Sequence, residues 1–264
     1  MGFLTDFVSE RRRALIERPL DREALVAAAA AAPPARNLAW TLRGYAEEDG
    51  VAAIAEVKRA SPSAGAIALD ADPVLQATAY DTGGAAAISV LTEPTHFGGS
   101  MADLRAVRAA VQHPVLRKDF LIDPDEILDA RAAGADAVLL ITSCLRDDEL
   151  VAMLATSRDL GMEPLVETHS DADLERALAT DAAVIGVNAR DLESLDVDVT
   201  AALRRLERIG RDRVAVLESG IRTRADVSAA VAAGASAILV GETLMRAPDP
   251  GAMLQELIHG KETR

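Results

Sequence analysis

Cysteine, aromatic residues and long apolar runs are all scarce in this sequence. One cysteine and 3% aromatic residues in 264 positions exclude a disulfide scaffold and a cysteine-based zinc cluster. No apolar run approaches the roughly 20 residues that a membrane-spanning helix needs. The first residues do not resemble a secretory signal peptide, because charges at residues 10–13 interrupt any apolar segment. We therefore expect a cytoplasmic protein without a membrane partner.

Positive charge is in deficit as well. The formal net charge is −14 at pH 7 and the pI is near 4.7, so the surface repels nucleic acid and anionic membranes. Nucleic acid is therefore not an expected partner. Half of the residues are apolar, which is enough to bury a full core, and the length suits a single domain at residues 1–264.

Lysine is rare among the basic residues, with three lysines against 25 arginines. An ammonium can be tuned to donate or release a proton and a guanidinium cannot, so the lysines that remain are candidates for chemistry. Lys58 and Lys118 each end an apolar run, whereas Lys261 lies in a polar tail, where a solvated charge is expected.

Eight short apolar runs alternate with amphipathic stretches, which is typical of parallel strands covered by helices. The predicted strands are residues 51–58, 86–91, 115–120, 137–142, 164–167, 184–188, 214–218 and 237–240. The predicted helices between them include residues 72–82, 124–133, 147–160 and 222–233.

A weak internal repeat favours closure of these units into a barrel. Four segments share a turn followed by an apolar strand, and they begin at Gly84, Gly134, Gly234 and, in a looser copy, Asp181. They fall at strands two, four, six and eight, so the sequence predicts a (β/α)8 TIM barrel, whose usual size is about 250 residues. Residues 1–50 are predicted as an N-terminal helical extension, with helices at 3–18 and 21–32.

Ionisable and amide side chains interrupt the apolar runs at five strand ends. They are Glu56 and Lys58 on strand one, Lys118 on strand three, Glu167 on strand five, Asn188 with Arg190 on strand six, and Glu218 with Ser219 on strand seven. Catalytic groups of TIM barrels lie at these ends, so we expect the side chains to share one mouth. Burial there lowers a lysine pKa and raises a glutamate pKa, while opposite charges favour each other's ionised forms. The pattern predicts general acid–base chemistry near neutral pH.

The last two strand-to-helix loops contain small residues and predict an anion site. Ser219 and Gly220 follow strand seven, and Gly241 and Glu242 follow strand eight, where barrels commonly bind phosphate. Ser61, on a turn stiffened by proline after strand one, adds a hydroxyl donor near the same mouth.

Other polar and aromatic residues give weaker signals. Phe97 and Phe120 lie near the mouth, where an aromatic substrate ring and ordinary core packing explain them equally well. Cys144 has no nearby histidine and is expected to be a small buried residue. The histidines lack metal-ligand spacing, so no metal site is expected, and each is interpreted as a surface or loop residue. They are His96, His113, His169 and His259.

Seven motifs in order along the chain together resemble the indole-3-glycerol phosphate synthase family. They are EVKRASPS at 56–63, LTE at 91–93 with FGGS at 97–100, LRKDF at 116–120, EPLVE at 163–167, GVNARDL at 186–192, ESGI at 218–221 and VGETLM at 240–245. The resemblance spans nearly the whole chain, including the N-terminal extension. It implies ring closure of 1-(2-carboxyphenylamino)-1-deoxyribulose 5-phosphate with loss of carbon dioxide and water, in tryptophan biosynthesis and without a cofactor.

The resemblance also implies roles for individual residues. Lys118 is the general acid that protonates the substrate carbonyl. Lys58, paired with Glu56, contacts the anthranilate carboxylate and donates a proton during dehydration, for which Glu167 is the favoured acid–base residue. Which of Lys58 and Glu167 acts at each later step stays open.

The remaining site residues are implied as orienting and binding groups. They are Asn188 and Glu218 for the ribulose hydroxyls and the lysines, Arg190 and Ser61 for the substrate, and Ser219, Gly220, Gly241 and the Glu242 backbone for the phosphate. Thr243 stands where the family often has serine, which leaves a hydroxyl in place. Both monomers and homodimers fit a barrel of this kind.

Three alternatives stay open at this point. A phosphoribosylanthranilate isomerase needs a Cys/Asp acid–base pair, and no cysteine ends strand one. A Schiff-base aldolase is expected to carry its lysine on strand six, where this chain has Asn188. A catalytically silent phosphate-binding barrel would leave the acid–base residues unexplained.

Overall fold

Eight parallel strands close into a barrel in the computed structural model, which describes residues 2–260. In chain order, β1 to β8 are Ala52–Val57, Ala87–Leu91, Val115–Lys118, Ala137–Ile141, Leu165–Thr168, Val184–Asn188, Val214–Glu218 and Ala237–Val240. Each strand pairs with the next, and β8 pairs with β1 through Ala237 beside Ala52, so the sheet closes on itself. The predicted (β/α)8 fold is confirmed.

Thirteen α-helices accompany these strands in the described part of the chain. Helices α1 to α3 precede the barrel and are Phe3–Glu17, Arg22–Ala31 and Leu38–Asp49. Helices α4 to α13 are Pro73–Thr82, Pro94–Phe97, Met101–Ala110, Pro124–Ala132, Asp147–Asp159, Asp171–Leu178, Val199–Leu206, Arg224–Ala232, Glu242–Met245 and Pro250–His259. A short hairpin of Ala60–Ser61 with Gly65–Ala66 follows β1. Lys261, expected to be a solvated charge, lies outside the described residues.

The strand positions agree with the sequence prediction to within two residues, and β6, β7 and β8 have the predicted bounds. Differences have local causes. Helix α11 begins two residues later than predicted because Thr223 is its N-cap. The Thr223 hydroxyl accepts the Asp226 backbone N–H, and the Asp226 carboxylate accepts the Thr223 N–H in return.

Glycines end three helices at equivalent points of the predicted repeat. Gly84, Gly134 and Gly234 follow α4, α7 and α11 with φ of 91°, 93° and 98°. This left-handed conformation is strained for a residue with a Cβ, so glycine stops each helix and turns the chain into the next strand. The repeat therefore has a backbone cause as well as a compositional one.

Helix α1 lies beside the C-terminal ends of the barrel strands. Its Phe7 ring packs on Phe120, with centroids 4.4 Å apart. One turn later, both guanidinium nitrogens of Arg12 donate to Glu149 of α8, at 2.8 and 2.9 Å. The N-terminal extension thus contacts the loops that surround the barrel mouth.

Helix α3, which the sequence prediction did not include, packs on β1, β2 and β7 through the buried side chains of Leu38 and Leu42. The Asn37 side chain caps it by accepting the Trp40 N–H at 2.8 Å. None of the helices in residues 2–260 has the length and apolar composition that a bilayer-spanning helix requires.

Candidate active site

A cavity of about 470 Å³ opens at the C-terminal ends of the strands, within the size range of small-molecule sites. All fourteen site residues proposed from the sequence line it. They are Glu56, Lys58, Ser61, Phe97, Lys118, Phe120, Glu167, Asn188, Arg190, Glu218, Ser219, Gly220, Gly241 and Glu242. The strand-end residues therefore do share one mouth.

Lys118 is the last residue of β3, and its ammonium lies among carboxylates. Its Nζ is 2.8 Å from Glu167 Oε2 and 3.5 Å from Glu218 Oε2. Burial by itself lowers the pKa of Lys118, but the surrounding carboxylates, Glu56 included, outweigh burial and raise the pKa above its usual value. Both predicted effects are present, and the attraction of the neighbouring carboxylates exceeds the effect of burial. Lys118 is therefore held as a charged ammonium.

Glu167 and Glu218 have pKa values displaced in opposite directions. Burial by itself raises the pKa of Glu167, but the Lys118 ammonium and then His169 lower it well below its usual value. Burial, followed by the negative charge of Glu167, raises the pKa of Glu218 well above its usual value. The two carboxyl groups therefore differ in their tendency to hold a proton, a difference that acid–base sites use.

Glu56 and Lys58 project from β1 on the same side because they are two residues apart in a strand. Lys58 Nζ is 2.9 Å from Glu56 Oε1, and Ser89 of β2 donates its hydroxyl to Glu56 Oε2 at 3.3 Å. A Cβ on Gly241 would lie 2.7 Å from that Oε1 and 3.2 Å from Nζ. The missing side chain at Gly241 leaves room for this ion pair next to the loop that follows β8.

Asn188 connects Glu167 to the loop that follows β6. Its Nδ2 donates to Glu167 Oε1 at 3.2 Å, and its Oδ1 accepts the Arg190 N–H at 3.0 Å. The Arg190 guanidinium lines the cavity and donates to the Leu195 carbonyl at 2.8 Å. It thus holds its own loop, and its predicted contact with substrate stays a prediction.

The loop after β7, which is predicted to bind an anion, has an unusual backbone conformation. Ser219 and Gly220 both have positive φ, at 65° and 79°. Serine at such an angle is strained, which is common where a loop is shaped for a ligand. The Thr243 hydroxyl donates to the Ile221 carbonyl at 2.7 Å, so the loops after β7 and β8 are joined.

Phe97 and Phe120 form one wall of the cavity, with ring centroids 6.1 Å apart. Phe120 is buried and also packs on Phe7, so it belongs to the core and to the cavity wall together. A flat aromatic group entering the cavity would meet these rings.

His169 was missed by the sequence reasoning. It follows β5 in a loop, but its side chain is 6% exposed and its Nε2 lies 2.9 Å from Glu167 Oε1. Of the two predicted alternatives, surface or loop, the loop position is confirmed, but the side chain is not on the surface. The signal was present, since His169 stands two residues after Glu167, the spacing that singled out Lys58 and Arg190. Cys144, in contrast, is buried as predicted.

Comparison with known proteins points to a single family. The family model for indole-3-glycerol phosphate synthase matches residues 4–257. The chain is 50% identical over 243 residues to the indole-3-glycerol phosphate synthase of Mycobacterium avium, covering 90% of this chain and 88% of that protein. It is 48% identical over 263 residues to indole-3-glycerol phosphate synthase 2 of Streptomyces coelicolor, covering 97% and 99%.

Similar solved structures share the fold at low sequence identity. A 3-hexulose-6-phosphate synthase is 18% identical, with a TM-score of 0.62 and coverage of 78% of this chain and 98% of that one. Thiamine phosphate pyrophosphorylase from Pyrococcus furiosus is 15% identical, with a TM-score of 0.57 and coverage of 79% and 94%. These likenesses support the barrel fold alone.

Proposed function

The chain belongs to the indole-3-glycerol phosphate synthase family, and on that premise we propose that its cavity closes the indole ring of 1-(2-carboxyphenylamino)-1-deoxyribulose 5-phosphate. The reaction breaks the carbon–carbon bond to a carboxylate, so the enzyme is a carboxy-lyase. The observation that carries the proposal is the Lys118 ammonium held by Glu167 and Glu218 at the apolar mouth.

Ring closure needs an acid at the substrate carbonyl. Lys118 gives its proton to the carbonyl oxygen as the ring carbon that bears the carboxylate attacks the carbonyl carbon. The bond to carbon dioxide then breaks, and its electron pair restores the aromatic ring. Negative charge that develops on the oxygen is stabilised by the same ammonium before proton transfer is complete.

Dehydration needs an acid and a base together. Lys58 protonates the hydroxyl that the carbonyl has become, and that hydroxyl leaves as water. Glu167, which its lowered pKa keeps ionised, accepts the proton that the new five-membered ring loses. Because Glu167 lies 2.8 Å from Lys118, it can return this proton to the amine. The two lysines give two protons to the substrate, and Glu167 takes one from it. The net consumption of one proton is what decarboxylation of a carboxylate requires.

Several lining residues support a substrate with a phosphate, a carboxylate and an aromatic ring. In this proposal the loops after β7 and β8, with Ser219 and Gly220, receive the phosphate, and Lys58 receives the carboxylate. Phe97 and Phe120 pack on the aromatic ring. The substrate is a small molecule. The cytoplasmic location and the monomeric or homodimeric state stay predictions.

The experiment that tests this function mixes the purified protein with the substrate and follows the indole fluorescence of the product. We expect turnover in the parent and a loss in kcat of about 10²- to 10⁴-fold in Lys118→Ala, the usual contribution of a general acid. Glu167→Gln should lower kcat with little change in KM.

Lys118→Arg is the matched control, because arginine keeps the positive charge and cannot give up a proton in this pH range. Loss of turnover in both Lys118 variants identifies an acid, whereas activity in Lys118→Arg would reduce Lys118 to an electrostatic role. A folded parent that binds substrate without turnover would favour the silent phosphate-binding barrel.

A further inference from the structure

His169 has a contact that the proposed mechanism does not use. The residue lies in the loop between β5 and α9, with its side chain 6% exposed. Its Nε2 is 2.9 Å from Glu167 Oε1, the oxygen that also accepts the Asn188 amide at 3.2 Å. Glu167 Oε2 is occupied by Lys118. Together these contacts fix both oxygens of Glu167.

The loop does not need the imidazole for its own conformation. Ser170 is the N-cap of α9, and its hydroxyl accepts the Asp173 N–H at 3.1 Å. The Asp173 carboxylate accepts the backbone N–H groups of Ser170 and His169, at 3.1 and 3.3 Å. The turn is therefore held by the capping box and by the His169 backbone, which leaves the side chain free for another purpose.

Acidic groups face the imidazole from several elements. Glu167 approaches it from β5, and Asp191 interacts with it from the loop after β6. Asp173, at the start of α9, contacts the His169 backbone N–H. The nearest cation across Glu167 is Lys118. Both ring nitrogens of His169 are buried, and neither has a well-aligned hydrogen-bond partner within residues 2–260. Nε2 is the nitrogen that lies against Glu167.

We propose that His169 is a positioning residue for the family reaction: it holds Oε1 of Glu167, so that Glu167 stays oriented toward Lys118 as the base. The inference rests on the proposed role of Glu167. The ring is not aligned for an ideal hydrogen bond in this structure, as is common before a substrate completes an active site. Nε2 nevertheless lies 2.9 Å from Oε1, so the imidazole limits where that oxygen can move.

The pH profile of kcat separates this role from a merely structural one. His169 helps to lower the pKa of Glu167, after the larger effect of Lys118. Removing the imidazole in His169→Leu therefore raises the pKa of Glu167 and moves the acidic limb of the kcat profile to higher pH. We expect kcat to fall by about 10- to 100-fold, the range for losing one polar contact to a charged group, with KM nearly unchanged.

Two further variants make the test specific. His169→Gln places an amide N–H where Nε2 stands, and it should restore most of kcat and the position of the acidic limb. Ser170→Ala removes the cap of α9 without touching Glu167, and it should lower thermal stability but leave the kcat profile in place. In a Glu167→Gln background, His169→Leu should have no further effect, because a residue that acts through Glu167 has nothing left to position.

A measurement without substrate tests the contact itself. The chain has four histidines, so the imidazole nitrogen signals of His169 can be identified by their loss in His169→Gln. Glu167→Gln should shift those signals and leave the other three histidines unchanged. Unchanged His169 signals would overturn the inference.

The kinetic outcomes are distinguishable from failure of the proposed function. A parent enzyme that turns over, with a His169→Leu variant that keeps its kcat and profile, overturns the inference and leaves the function standing. A folded parent without turnover overturns the proposed function and this inference with it.

Discussion

The glycine at position 186 offers a sharp test of how closely the active site is packed. Gly186 lies in β6, beside Glu167 of β5 and Val216 of β7 in the strand register. A Cβ at this position would lie 2.2 Å from Glu218 Oε1 and 3.2 Å from Leu165 Cδ1. Because unstrained contacts are near 3.5 Å, Gly186→Ala forces the Glu218 carboxylate to move by roughly 1 Å.

A displacement of this size has a large expected effect on catalysis. Misplacing a group in an active site by about 1 Å can cost about 100-fold in rate, and we expect that loss of kcat in Gly186→Ala. The added methyl group should also lower the free energy of unfolding by about 1–3 kcal/mol through overpacking. Product fluorescence gives the first quantity and urea denaturation followed by circular dichroism gives the second.

The matched control is the same substitution on the surface. Gly44 lies in α3, and a Cβ there would meet nothing within 4 Å, so Gly44→Ala should keep full activity and add about 0.5–1 kcal/mol of stability. A folded Gly186→Ala variant with the kcat of the parent would refute the reasoning. In a Glu218→Ala background the clash disappears, so Gly186→Ala should then cost nothing further.

Two predictions concern stability. Arg12 holds the pKa of Glu149 at about 2, so their pairing stabilises the fold above the usual Glu149 pKa of 4.5 and is lost as pH falls toward 2. Arg12→Ala should therefore cost about 0.2–1 kcal/mol at pH 7 and nothing at pH 2, as thermal unfolding at the two pH values will measure. Asp136 is fully buried, accepts the Val115 N–H at 2.9 Å and pairs with Arg108 at 2.9 Å. Asp136→Asn should cost about 3–5 kcal/mol in urea denaturation, and a neutral result would contradict the pairing.

The barrel strands could be predicted because their physical signal is local. A strand that is buried on both faces has a continuous apolar run in its sequence. Every residue of β4 and β6 is buried in this way. The path of α1 could not be predicted in this way. It depends on contacts such as Thr5 with Glu193, at 2.9 Å between Oγ1 and Oε1, whose partners are 188 residues apart in the chain.

The candidate site could be predicted as a set, because parallel strands bring their ends to one edge. What the sequence could not supply is the balance of charges within the set. Whether Lys118 gains or loses basicity depends on how close Glu167 and Glu218 come, and only coordinates give that distance. His169 was missed for a related reason: its spacing from Glu167 was visible, but the burial of its side chain depends on where the loop lies.

The adjacent residues Arg117 and Lys118 show why arginine and lysine have different places in this chain. Alternation along β3 sends their side chains to opposite faces. Arg117 enters the layer between strands and helices, where its Nη1 donates to the Glu126 carbonyl at 2.9 Å and to Asp129 at 3.1 Å. A guanidinium keeps its charge at every relevant pH and so ties α7 to the barrel permanently. Lys118 faces the cavity, where the proposed mechanism needs a cation that gives up its proton, and a lysine can do so once substrate changes the charges around it.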